Sequence, residues 1–177
     1  TGMINGVAQP ILASVADDRE RQKRIFRKML RFTAFVSFPT LFGLSLITPE
    51  LITITITSKW SASAEILRVL CIGSAFTTIS GLYSNLIISK GKSNIFMWNT
   101  IVLGLIQIAV MLYCYPYGIP VMIKFYVIIN VSWLLVWQYF LWKEIRLSLF
   151  EMLKDICPYA LIATAVMLAT HYATQSL

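Results

Sequence analysis

Charge is missing from this chain over stretches long enough to cross a bilayer. Val69 to Ser89, between Arg68 and Lys90, contains no Asp, Glu, Lys or Arg, and neither does Ser93 to Ile123. A hydrocarbon core about 30 Å thick requires roughly 20 predominantly apolar residues per helix. Unpaired backbone groups are too costly in lipid for anything but helices or closed barrels. With 58% hydrophobic and only 13% charged residues, and a mean hydropathy of +0.73, the chain has too little polar surface for a soluble globule, where about a quarter of residues are charged. The fold class expected is therefore an all-α integral membrane protein. Spans are predicted near residues 32–57, 65–89, 95–115, 119–142 and 156–175. The aromatic, Pro- and Gly-containing patch Tyr113–Pro120 divides the third from the fourth, and Pro49 is expected to break the first.

Residues 1–16 are apolar but short, and they read as the tail of a truncated further helix. Residues 17–31 read as a basic amphipathic helix, opened by the helix-start signal Asp17-Asp18, with residues 25, 26, 29 and 30 on one face. It is expected to lie along the cytoplasmic headgroups as a membrane-surface element carrying Arg19, Arg21, Lys23, Arg24, Arg27 and Lys28, before the chain turns into the bundle at residues 32–177. Pro39 should kink the first span, and Thr48-Pro49-Glu50 reads as a cap restarting a short helix. Ile52 to Thr57 alternates apolar and polar residues like a strand, but a lone strand at bilayer depth favours the helical reading.

Orientation follows from a separate signal. Twelve of the fifteen Lys and Arg residues fall on alternate connections: Arg19 to Arg31, then Lys90 and Lys92, then Lys143, Arg146 and Lys154. Inserted helices collect Lys and Arg on the cytoplasmic side, so five consecutive crossings would leave these three connections inside. Trp60, Trp98, Tyr115, Tyr117, Trp142 and Tyr172 fall near predicted interfaces, where amphipathic rings concentrate. The net charge of +7 is thus topological, and no nucleic-acid partner is expected. Cys71, Cys114 and Cys157 lack metal spacing and read as small buried side chains, with no disulfide, metal or cofactor expected.

Within the spans, Gly73, Thr77 and Gly81 recur every four residues, a spacing that permits close helix packing. The amides Asn99, Gln107, Asn130 and Gln138 favour interhelical hydrogen bonds. Arg68 and Lys124 lie near the outer ends, where snorkelling is the plain reading and a functional role the sharper one. His171 reads as interfacial.

The segments Gln9 to Arg21, Phe38-Pro39-Thr40-Leu41-Phe42-Gly43-Leu44, Ser58-Lys59-Trp60 and Ser89-Lys90-Gly91-Lys92 resemble, in this order, the second half of bacterial Wzx-type polysaccharide and O-antigen flippases. These belong to the multidrug/oligosaccharidyl-lipid/polysaccharide exporter superfamily. One departure is Ser58, where such proteins often have Gly. The resemblance implies one lobe of a two-lobe, multi-pass transporter in the bacterial inner (plasma) membrane. It further implies a partner N-terminal lobe and alternating access that turns a polyprenyl-pyrophosphate-linked oligosaccharide to the outer leaflet. A diphosphate crossing hydrocarbon needs cations, and sugars need amide or hydroxyl partners, so Arg68, Lys124, Asn85, Asn99 and Gln107 are the substrate-cavity candidates, with no catalytic residue among them. A drug exporter of the same superfamily would want a buried carboxylate, and a membrane-embedded enzyme would want clustered acids or a general base. Glu50, Glu65, Glu144, Glu151 and Asp155 stand at span ends and favour neither.

Overall fold

The structure is a computed structural model that describes residues 2–16, 18–55 and 61–175. Among these the chain is helical, without strands: α1 Gly2–Ala13, α2 Arg19–Thr55, α3 Ser61–Ser89, α4 Ser93–Cys114, a 3₁₀ turn at Tyr115–Tyr117, α5 Ile119–Ile145 and α6 Leu149–Gln175. The five helices from α2 to α6 are each long and apolar enough to cross a membrane. Asp17, the motif Ser58-Lys59-Trp60 and the side chains of His171 and Tyr172 lie outside the described residues.

The basic segment does not form a separate surface helix. It is the foot of α2, which runs for 37 residues, or about 55 Å, well beyond the hydrocarbon thickness. The reason is visible in the buried stripe. Phe26, Leu30, Ala34, Phe38 and Phe42 recur every four residues and are all buried, so one face packs continuously through the boundary expected at residues 31 and 32. Asp18 does cap this helix as anticipated, accepting from the Arg21 amide at 3.0 Å.

Nor does Pro49 break the helix. The Thr48 hydroxyl donates to the Leu44 carbonyl at 2.7 Å instead of capping a new start, and the Thr40 hydroxyl beside Pro39 does the same to Val36. Each hydroxyl thus bonds the carbonyl adjacent to the one that its neighbouring proline leaves without a main-chain donor, Phe35 for Pro39 and Ser45 for Pro49. A recess of about 110 Å³ lies beside Pro39, between α2 and α6, lined by Phe42, Gly43, Leu46 and Ala163 among others. Ile52–Thr55, the described part of the alternating segment, is helical.

Helix α3 is the centre of the bundle, packing against α2, α5 and α1, while α4 rests chiefly on α5. Helix α6 returns to α2. The α2–α3 seam is aromatic: Phe38 meets Phe76 edge-on at 5.3 Å, and Phe26 lies 5.6 Å from Tyr83. Helix α6 begins seven residues before the span expected there, so Leu149–Asp155 is helix and not connection.

Both tight turns have identifiable caps. Helix α3 ends with Gly91 at φ +71°, whose amide donates to Ile88 while that of Lys92 donates to Ile87. This paired arrangement needs a left-handed residue, for which glycine lacks the Cβ penalty. Helix α5 ends with Arg146 itself in the left-handed region, its amide on the Trp142 carbonyl. Trp98, Tyr115, Tyr117 and Trp142 are exposed near helix ends, as interfacial rings should be. Cys71 and Cys114 are buried, but Cys157 is exposed on α6, because its position falls off the face that α6 turns to α2.

Of the small-residue stripe, Gly73 is the contact point. A Cβ there would stand 2.8 and 2.9 Å from the two methyls of Val127 on α5, whereas Thr77 is exposed and bonded to Ser74 of its own helix. Gly73→Ala should therefore destabilise the α3–α5 pair by about 1–3 kcal/mol, as overpacking does. Val127→Ala in the same chain should restore most of that loss, read from unfolding midpoints in detergent. Additive losses from the two changes would show that they do not share a contact.

Candidate functional site

Two charged regions lie at opposite ends of the bundle. At one end, Lys23, Arg27 and Arg31 recur every four residues on α2 and face Glu151 and Asp155, four apart on α6. Asp155 keeps only 2% of its side chain exposed. It takes two bonds from Arg27, Nε at 2.6 Å and Nη2 at 3.0 Å, and one from Arg31 at 2.7 Å. Glu151 receives Lys23 at 2.8 Å and Arg27 at 3.4 Å, and Lys23 also reaches the Arg146 carbonyl at 3.2 Å.

Beside this network, Lys92 pairs with buried Glu144, and Lys90 points at the Glu144 carbonyl. Desolvation pushes the half-buried Lys90 ammonium below its ordinary value, with the Glu144 charge acting against that shift. The three basic connections thus meet at one end of the bundle, which is what alternate crossings demand. Arg19, Arg21, Arg24 and Lys28 of the expected membrane-surface set are exposed. Lys23 and Arg27 are instead turned onto α6, because two carboxylates there offer stronger partners than water does.

At the other end, Arg68 of α3 and Lys124 of α5 line one recess of about 210 Å³ with Glu65, Val69, Pro120 and Ile123. Arg68 lies about two turns into its helix, deeper than the sequence suggested, because α3 starts at Ser61. Its carbonyl accepts from the buried Ser45 of α2 at 3.3 Å, tying three helices together here.

The other cavity candidates do not join this pair. Gln107 donates to Asn130 of α5 at 3.3 Å, the interhelical bond expected of it. Asn99 is buried but donates to Ile95 of its own helix, where an interhelical partner was expected; a short side chain inside a helix finds the carbonyl one turn back within reach. Asn85 is buried on α3, roughly 25 Å along the helix from Arg68 at 1.5 Å per residue.

Gln138 makes the interhelical bond expected of it, although its partners were not legible in the sequence. Its amide donates to the Leu147 carbonyl at 2.7 Å and its oxygen accepts from Tyr83 at 3.4 Å, joining α3, α5 and the turn into α6. The α2–α6 ion pairs were missed. Their signal was present as matching four-residue spacings, three cations against two acids, in segments more than a hundred residues apart.

Comparison with known proteins gives the following. Residues 1–65 match a family model described as a polysaccharide biosynthesis protein. The chain is 27% identical over 165 residues to the teichuronic acid biosynthesis protein TuaB of Bacillus subtilis, covering 93% of this chain and 34% of the relative. It is 30% identical over 90 residues to an uncharacterised membrane protein in the cps region of Klebsiella pneumoniae (51% and 19%). It is 25% identical over 93 residues to the lipopolysaccharide biosynthesis protein WzxC of Escherichia coli (52% and 19%). The chain therefore spans between a fifth and a third of the length of these relatives. None of these names states an enzymatic activity. No solved structure matches the chain. With five membrane-length helices, the matches support a multi-pass protein of the bacterial inner membrane.

The two carboxylates facing α2 differ in burial, and so should their energetics. Removing a partner from a buried pair is costly, up to about 3 kcal/mol here because Arg27 and Arg31 still reach solvent. Asp155→Ala is thus expected to destabilise the chain by that order. Glu151→Ala, at a far more exposed pair, should stay within about 1 kcal/mol. Reversible unfolding in micelles measures both, and equal losses would remove burial as the deciding factor.

Proposed function

Taking as premise a family of the polysaccharide and O-antigen flippase type, which the matches above support, we infer that this chain is part of a transporter for a polyprenyl-pyrophosphate-linked oligosaccharide. It would move this substrate from the cytoplasmic to the outer leaflet for surface polysaccharide synthesis. The observation that carries the reading at residue level is the Arg68–Lys124 recess. Among the described residues, two cations from different membrane-length helices face one space with one carboxylate, Glu65. An excess of positive charge at such a place compensates a diphosphate where water is scarce.

In this reading Arg68 and Lys124 belong to the substrate path, and Asn85, Asn99 and Gln107 serve helix packing or sugar contacts elsewhere along it. The partners are membrane lipid, the lipid-linked oligosaccharide and an N-terminal lobe. By the positive-inside rule the end bearing the ion-pair network faces the cytoplasm, and the recess lies toward the outer leaflet. Transport fits the chain better than catalysis does. Glu144, Glu151 and Asp155, acids that a metal site or general base would need, are each engaged by Lys or Arg.

The test is deletion in the host with complementation by the wild type, Arg68→Ala or Lys124→Ala, followed by assay of surface glycan and of the lipid-linked precursor in the cytoplasmic leaflet. Deletion should remove surface glycan and accumulate precursor. Each alanine variant, expressed at wild-type level, should restore less than about a tenth of the glycan, since loss of one charge contact in a poorly solvated site is worth more than 1.4 kcal/mol. Full rescue by both variants would reduce these residues to snorkelling anchors. Unchanged glycan and precursor on deletion, with no redundant transporter, would overturn the flippase reading and favour a drug exporter.

A further inference from the structure

Arg24, Arg27, Lys28 and Arg31 line a single open recess of about 400 Å³ on the foot of α2. These positions share one side of a helix, and the same side continues upward with Phe32 and Phe35, which are 62% and 59% exposed. Cations are thus followed within one turn by exposed aromatic rings, and Phe35 is steadied by an edge-on contact with Tyr159 of α6 at 5.9 Å.

The charge balance is uneven. Counting Lys23, five cations stand here against the two carboxylates of α6 and Glu20, which lies one turn below Arg24 on α2 and forms no ion pair among the described residues. Among the described residues Arg24 and Lys28 have no ion pair. Like charges spaced three and four residues apart destabilise a helix, so the arrangement lacks an anion. Arg27, by contrast, is held in place by its two bonds to Asp155, which leaves one preoriented guanidinium among the free cations.

We propose that this recess binds the phosphate headgroup of one anionic lipid, whose chain lies along Phe32 and Phe35. The rings separate a lipid from soluble phosphate, which would need only the cations. A membrane phospholipid and a polyprenyl phosphate share the chemistry required. The site rests on α2 crossing the membrane surface at this height and is independent of the transport reading.

The test titrates the full chain, in a neutral detergent, with dioctanoyl phosphatidylglycerol, dioctanoyl phosphatidylcholine, farnesyl pyrophosphate and inorganic phosphate. At least one of the anionic lipids should bind clearly more tightly than phosphatidylcholine and inorganic phosphate. The double variant Arg24→Gln/Lys28→Gln, which breaks no ion pair seen in the fold, should weaken that binding by at least about tenfold. Arg19→Gln/Arg21→Gln removes the same charge outside the recess and should have an effect of less than about threefold. Phe32→Ser/Phe35→Ser should weaken lipid binding and leave any binding of inorganic phosphate unchanged.

Tighter binding of phosphatidylglycerol than of farnesyl pyrophosphate would assign the site to bulk phospholipid, and the reverse order to the carrier lipid. Equal losses from the two charge variants would overturn the proposal in favour of diffuse attraction. So would binding of phosphatidylcholine or inorganic phosphate as tight as that of both anionic lipids. Melting curves of each variant confirm that the fold is intact.

Discussion

Asp155 and its two arginines hold this bundle closed. Helix α6 follows α5 in the chain, yet it crosses back to pack against α2, and the polar contact that marks its landing is a carboxylate with 2% of its side chain exposed, gripped by Arg27 and Arg31. A charge so placed is tolerable only when its hydrogen-bonding capacity is filled by partners of opposite sign. Burial and pairing therefore fix each other: α6 cannot slide along α2 without uncovering the acid or stranding it. The apolar contacts above this point have no comparable directionality, because lipid is as good a neighbour for a leucine as another helix is.

The second constraint is the uninterrupted buried stripe of α2. It explains why a segment that is strongly basic over its first turns and strongly apolar afterwards is one helix. Charge lies on one side of the foot, and the core face, from Phe26 through Phe42, takes no notice of the change. The charged foot and the apolar length of α2 are joined by packing on α3, whose aromatic residues Phe76 and Tyr83 meet the stripe at two heights.

What was legible in the sequence is what rests on long runs and on the solvent. The five membrane-length helices follow from charge-free stretches, and the meeting of Lys23, Lys90, Lys92 and Arg146 at one end follows from the alternation of basic connections. Gly73 was found by its spacing, and Gln107, Asn130 and Gln138 as amides inside apolar spans, though not which partner each would take. The illegible part depends on which helices touch. Nothing near Glu151 or Asp155 says that Lys23, Arg27 and Arg31 stand opposite, and span-based reading placed α6 too late because those acids look like a loop until their partners are known. Pro49 misled for a related reason. Proline disfavours helix in water, but in this bundle the Thr48 hydroxyl bonds back to Leu44 and the buried Thr48 and Ile52 on either side of Pro49 keep the turn in place. Arg68 and Lys124 were suspected separately, and only the contact of α3 with α5 makes them neighbours.

Pro39 and Pro49 each remove one rung from the hydrogen-bond ladder of α2, ten residues apart and both above the clamped foot. Mechanically the helix is then a beam built in at its lower end, with two compliant points along its upper length and, at the first of them, a gap on the α6 side into which it can lean. Compliance in such a beam grows with distance from the support. Bending of α2 is thus channelled into the end that bears the Arg68–Lys124 recess, while the end that carries the ion pairs serves as the fixed support.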